Sequence, residues 1–139
     1  MVKQVLASDV SNWPAPNAQL IGGRCEDCTA VTWPMQGCCP RCGSSDMRDR
    51  LLPRQGTLVT WTTQNFVPKF PYAGGQTADT FKPYGVGLVQ LEDEVRVEAR
   101  LTEADPSRLR FGMELRLVFV PFYTDDDGNE IVTWAFEPV

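Results

Sequence analysis

The five cysteines of this chain lie at positions 25, 28, 38, 39 and 42, inside an 18-residue window, and none follows. Cys25-Glu26-Asp27-Cys28 and Cys39-Pro40-Arg41-Cys42-Gly43 are two C-x-x-C knuckles separated by ten residues. A knuckle turns tightly enough to aim two thiolates at one ion, and two facing knuckles complete a tetrahedral site. Gly43 supplies the permissive backbone that such a turn often needs. Four sulfur ligands leave no open coordination position, so a metal held by Cys25, Cys28, Cys39 and Cys42 is structural and not catalytic.

Zinc is the expected ion. Iron in a rubredoxin-like site suits the same four thiolates, and the sequence leaves it open. Two disulfides would suit a secreted protein, but Met1-Val2-Lys3-Gln4 is followed by no apolar block of the kind a signal peptide carries. Redox C-x-x-C chemistry calls for a single pair in a βαβ setting, which the sequence lacks. Cys38 is read as a small residue beside a ligand. A ribbon this short cannot fold on burial alone. In zinc-finger peptides the metal brings roughly 10–16 kcal/mol of apparent binding free energy, so residues 20–50 are expected to order only when metalled.

The chain of 139 residues contains no histidine. That removes Ser-His-Asp and Cys-His catalysis and every histidine-containing metal site. The sequence presents no evident nucleophile–base pair, so no catalytic residue is assigned. Residues 1–52 carry five basic and five acidic side chains, and residues 53–139 carry eight and thirteen, so the whole net charge of −5 falls in the second part. A nucleic-acid binder is expected to show the opposite footprint. No apolar stretch reaches the 18 or so residues that a membrane span needs. A soluble, cytoplasmic protein is expected.

Three segments follow: an N-terminal helical or irregular stretch over 1–19, a zinc ribbon over 20–52 and a β-barrel over 53–139. Ser8 to Trp13 suits one helical turn, stopped by Pro14 and Pro16. After residue 53 the pattern is that of strands. Gly56–Thr63 is rich in β-branched and aromatic residues, and Tyr84–Leu91 is an apolar run. Val95–Leu101 and Met113–Phe119 alternate with period two, and Ile131–Phe136 follows the turn cluster Asp125–Asn129. Ala104–Leu109 suits a short helical turn. Five strands with a small helical element between the third and fourth match an OB-type barrel, whose closure largely removes exposed edges. The fold expected is mainly β, a ribbon followed by a five-stranded barrel, with a small sandwich as the alternative.

Asp125, Asp127 and Asn129 have EF-hand-like spacing. Calcium is not expected, because Glu130 stands where the loop needs glycine and Phe136 where it needs glutamate. The connection from Phe66 to Tyr84 holds five of the chain's fourteen aromatic residues, together with Lys69 and Lys82. A connection this long is commonly functional. Two readings stay open. Phe70, Tyr72 and Phe81 anchor a partner, with Lys69 and Lys82 beside them, or Phe66, Phe70 and Phe81 fold back to plug the barrel.

The order R-C-E-D-C, W-P, C-P-R-C-G, G-T-L-V-T-W, Y-G-V-G-L-V-Q-L-E-D-E-V-R-V-E-A-R-L and F-G-M-E-L-R-L-V-F resembles the OB-fold/zinc-ribbon acyl-CoA-associated proteins, formerly a domain of unknown function. The resemblance covers nearly the whole chain. It departs from the family pattern at Cys38, beside a ligand, and near Asn17, where the usual charged helix is missing. The resemblance implies an accessory subunit, inactive alone, for a thiolase-fold enzyme (a thiolase, acyltransferase or retro-aldolase) that makes or breaks carbon–carbon bonds next to an acyl-CoA thioester, as in steroid side-chain or aromatic-acid breakdown. It further implies a hetero-oligomer, with coenzyme A or acyl-CoA at the partner interface, where Lys69 and Lys82 are the candidates to meet the coenzyme's phosphates. A ribbon-plus-barrel module that binds nucleic acid is the alternative.

Overall fold

The computed structural model describes residues 3–69, 76–77 and 79–139. Among the described residues nine strands carry the fold: β1 (Lys3–Val5), β2 (Ile21–Cys25), β3 (Val31–Thr32), β4 (Met47–Leu51), β5 (Gln55–Gln64), β6 (Tyr84–Leu91), β7 (Val95–Leu101), β8 (Glu114–Thr124) and β9 (Glu130–Pro138). Among the described residues the only helical element is one 3-10 turn at Pro106–Arg108. Asp105 caps it, its carboxylate accepting from the backbone N–H of Ser107 at 2.9 Å.

The barrel runs β5-β6-β7-β9-β8, and β8 returns to β5 through the pairs Gln55–Arg116, Gly56–Leu115 and Thr57–Glu114. β6 and β7 form a hairpin in full register, from Gly85–Leu101 to Leu91–Val95. Alternation sorts their faces: Val89, Leu91, Val97, Ala99 and Leu101 point into the core, while Tyr84, Val86, Glu98 and Arg100 face outward. Gly85 belongs to the inner row because there is no room for more. A β-carbon there would stand 2.5 Å from the Glu103 carbonyl oxygen. β7 and β9 are parallel and pair at Arg100–Ala135 and Leu101–Phe136. The free edge of β9 before that point is taken by β1, through Lys3–Glu130 to Val5–Val132.

The helical turn expected at 8–13 is not formed. Residues 8–20 are turns and bends, with a bridge between Ser11 and Leu20. Leu20 and Val10 are buried, which ties this stretch to the body of the protein at the expense of local helix. β8 also runs five residues past the expected Phe119, through Pro121, where its register against β9 shifts between Pro121 and Tyr123. A bulge is where a strand tolerates proline. The turn at 125–129 closes on Asp125, whose carboxylate accepts from the backbone N–H groups of Asp127 at 3.0 Å and Asn129 at 2.8 Å.

The ribbon is the sheet β3-β2-β4, and it shares a core with the barrel. Leu20 and Leu52 are fully buried in the cluster that holds Leu58, Leu115, Leu117 and Phe136, with Val31 and Trp33 packed against it. Polar staples reinforce the seam. The Arg54 guanidinium donates to the carbonyls of Ala18 at 3.1 Å and Leu117 at 3.2 Å. Arg50 on β4 pairs with Glu94 in the β6–β7 turn. The core that belongs to the ribbon alone is small: Cys25, Cys39 and Met47, with Cys28, Ala30 and Met35 around them.

Candidate metal centre and outer surface

The two knuckles have one geometry. In the first, the Thr29 N–H donates to the Cys25 carbonyl at 2.9 Å, and Thr29 takes a left-handed φ of 69°. In the second, the Gly43 N–H donates to the Cys39 carbonyl at 2.8 Å, and Gly43 has φ of 79°. Backbone N–H groups also point at sulfur, from Cys28 to the Cys25 Sγ and from Arg41 to the Cys39 Sγ, each at 3.4 Å. Ser44, just past the second knuckle, donates its hydroxyl to Asp27 in the first. Glu26 donates its N–H to the Asp46 carbonyl at 3.0 Å, which fixes the two turns against each other.

The four sulfurs of Cys25, Cys28, Cys39 and Cys42 lie within 4.8 Å of one another. Cys25–Cys42 and Cys28–Cys39 are each separated by 3.6 Å. A tetrahedral ion with metal–sulfur bonds of about 2.3 Å places its ligands about 3.8 Å apart, so the donor set fits such an ion. Cys38 is exposed and stands outside the group. The cluster's charge is unevenly held. The backbone N–H of Cys42 draws the Cys39 thiol down to about 7, against the effect of burial. At Cys42 the Ser44 N–H pulls downward, but the neighbouring sulfurs of Cys25, Cys28 and Cys39, together with burial, push the thiol up to about 12. Among the described residues this is the one group of Cys, Asp or Glu side chains placed to hold a metal.

The aromatic connection is in part outside the described residues, Phe70 and Tyr72 included. Phe66 is 76% exposed, so it does not plug the barrel. Phe81 lies against the outward-facing Tyr84, ring centres 5.9 Å apart at 65°. Lys69 and Lys82 are exposed. A feature missed in the sequence sits beside Tyr84. Arg100 stacks its guanidinium on the Tyr84 ring, 3.8 Å from the centroid, and lies 5.1 Å from that of Phe122. The alternation of β7 marks Arg100 as outward-facing. The aromatic pair around it comes from two other strands and leaves no local signal.

Two family models match this arrangement: the rubredoxin-like zinc ribbon domain of ChsH2 over residues 13–48, and the ChsH2 C-terminal OB-fold domain over 49–120. A DUF35 domain-containing scaffold protein of Pyrococcus furiosus is 33% identical over 123 residues, covering 87% of this chain and 84% of that one. The chain belongs to the DUF35 family. A second DUF35 scaffold protein, from Methanocaldococcus jannaschii, is 26% identical across 86% of this chain and 82% of its own. Among solved structures, the Ltp2-ChsH2(DUF35) aldolase contains a chain that superposes with a TM-score of 0.62 at 25% identity, covering 86% of this chain and 84% of that one. The DUF35 match takes in ribbon and barrel together, as the sequence pattern implied. No helix of the described residues is long and apolar enough to cross a membrane.

Proposed function

We propose that this DUF35 protein is a non-catalytic accessory subunit that holds and supports an enzyme acting on acyl-CoA, a thiolase-fold enzyme or an aldolase. The observation that carries the reading is the likeness of ribbon and barrel together to the ChsH2 chain of an aldolase. The relatives bear the name scaffold protein, which agrees with it. The chemistry of the chain points the same way. A four-sulfur site offers a substrate no coordination position, and a chain without histidine lacks the commonest general base.

Zinc fits the four-cysteine site and would fix the ribbon's two turns. The barrel then presents its outer strands and the 66–84 connection as contact surface, with Phe70, Tyr72 and Phe81 as partner anchors. Coenzyme A at the junction would meet Lys69 and Lys82, both exposed. Acyl thioesters of steroid side-chain or aromatic-acid breakdown are the substrate class we assign to the complex. Co-expression with candidate thiolase-fold and aldolase subunits from the same organism tests the reading. A stable heteromer is expected, with turnover by the complex and none by this chain alone. Turnover that survives repurification of the single chain would sink it.

A further inference from the structure

Arg100 sits in the outward row of β7, paired with Val86 on one side and Ala135 on the other. Its Cζ lies 3.8 Å over the centroid of the Tyr84 ring and 5.1 Å from that of Phe122, contacts that use no hydrogen-bond donor. The in-plane N–H donors remain, set in a rigid fork. Among the described residues the Arg100 side chain forms no ion pair and no hydrogen bond. Beside it, where β7 and β9 part, is a crevice of about 230 Å³. Leu6, Val86 and Trp134 give it apolar walls, and Glu98 is its one acidic lining residue.

An oriented guanidinium at an apolar wall recognises a planar anion, with two parallel hydrogen bonds to a carboxylate. Size selects the source of that carboxylate. Sites for small molecules run to about 300–1,000 Å³, so this crevice takes a side chain more readily than an acyl-CoA. Tyrosine, tryptophan and arginine are the residues on which protein interfaces concentrate their binding energy, and all three meet here. We infer that this crevice is a socket for a single Asp or Glu side chain of a partner protein, gripped by Arg100 between Tyr84 and Phe122. The inference rests on the accessory-subunit reading, whose enzyme would supply the acid.

Two measurements test it. The metal-loaded full chain, carrying 15N-labelled arginine, is titrated with N-acetylglutamic acid α-amide and separately with inorganic phosphate. The Arg100 Nε–H resonance should move saturably with the carboxylate, while that of the exposed Arg110 should not. A response no larger than Arg110's, or a stronger response to phosphate, overturns the socket. In the heteromer, R100K keeps the charge but loses the fork, and should weaken the complex about tenfold or more. The melting temperature of the isolated chain should stay unchanged. Undiminished affinity of R100K overturns the socket and leaves the accessory role standing. If the wild-type chain forms no heteromer at all, that role falls and the titration alone decides the socket.

Discussion

Trp33 of the ribbon meets Trp134 of the barrel edge to face, ring centroids 5.2 Å apart at 80°. The Trp33 Nε1–H donates to the Val10 carbonyl at 3.3 Å, so one side chain joins the N-terminal stretch, the ribbon and the barrel. Trp13 lies against Phe119 in the same seam, at 6.4 Å. The ribbon is therefore held by the barrel as well as by whatever ion its four cysteines are placed to bind.

Trp33 is partly buried against the core, so replacing it with Ala should cost about 2–3 kcal/mol of stability, below the roughly 3–5 kcal/mol of a fully buried aromatic. A double-mutant cycle with Trp134→Ala should return a coupling of about 0.5–1.5 kcal/mol for the ring pair. Denaturant unfolding of the metal-loaded chain measures both. A coupling of zero would mean that the two rings stabilise their modules independently.

The metal should be lost on changing Cys25, Cys28, Cys39 or Cys42 to Ser, and kept in Cys38→Ser. Metal content by mass spectrometry, with one ion per chain expected, separates these outcomes. Equal loss from Cys38→Ser and Cys39→Ser would overturn the second knuckle as drawn. The acid side follows from the thiol protons. With Cys39 at about 7 and Cys42 at about 12, the metal-free cluster keeps protons at neutral pH that a metal must displace. Apparent affinity should therefore rise with pH and fall on acidification, which a chelator competition series will show.

Thr29 holds a left-handed φ of 69° at the place where the other knuckle has Gly43. A β-branched residue there is strained by roughly 1–2 kcal/mol. Thr29→Gly relieves this but gives back about 0.4–1 kcal/mol through a looser unfolded chain. The net expectation is a gain of about 0.5 kcal/mol in the metal-loaded protein. Gly43→Ala should do the reverse, and paired thermal melts would reveal both signs.

What the sequence disclosed follows the physics that stays local. Two cysteines three residues apart, and alternation along Val95–Leu101, declare themselves in a short window, and both the knuckles and all five barrel strands lie where those patterns put them. Burial over long separations is different. Leu20 and Val10 override the short helix expected at 8–13, because their partners lie in the shared core and across the Ser11–Leu20 bridge. Thr29 gives no glycine signal, so its positive φ was unreadable. The clamp on Arg100 needs Tyr84 and Phe122 from two other strands, and no spacing records that.

The 66–84 connection gives the sharpest separation of folding from binding. Phe81 touches Tyr84 on the outside of the barrel and is only half-buried. Phe81→Ala should therefore change the melting temperature of the isolated chain little. A core phenylalanine such as Phe136, fully buried, should cost about 3–5 kcal/mol on the same change. In the heteromer, Phe81→Ala should weaken association by about 2 kcal/mol or more if the ring anchors the enzyme subunit. Phe70→Ala makes the companion test. Lys69→Glu and Lys82→Glu address coenzyme A instead. Both lysines are exposed, so reversal should leave folding intact and raise the KM of the complex for acyl-CoA without lowering kcat in proportion. An unchanged KM with both reversed would remove the connection from coenzyme binding. Loss of association in Phe81→Ala would then leave it a purely protein-facing role.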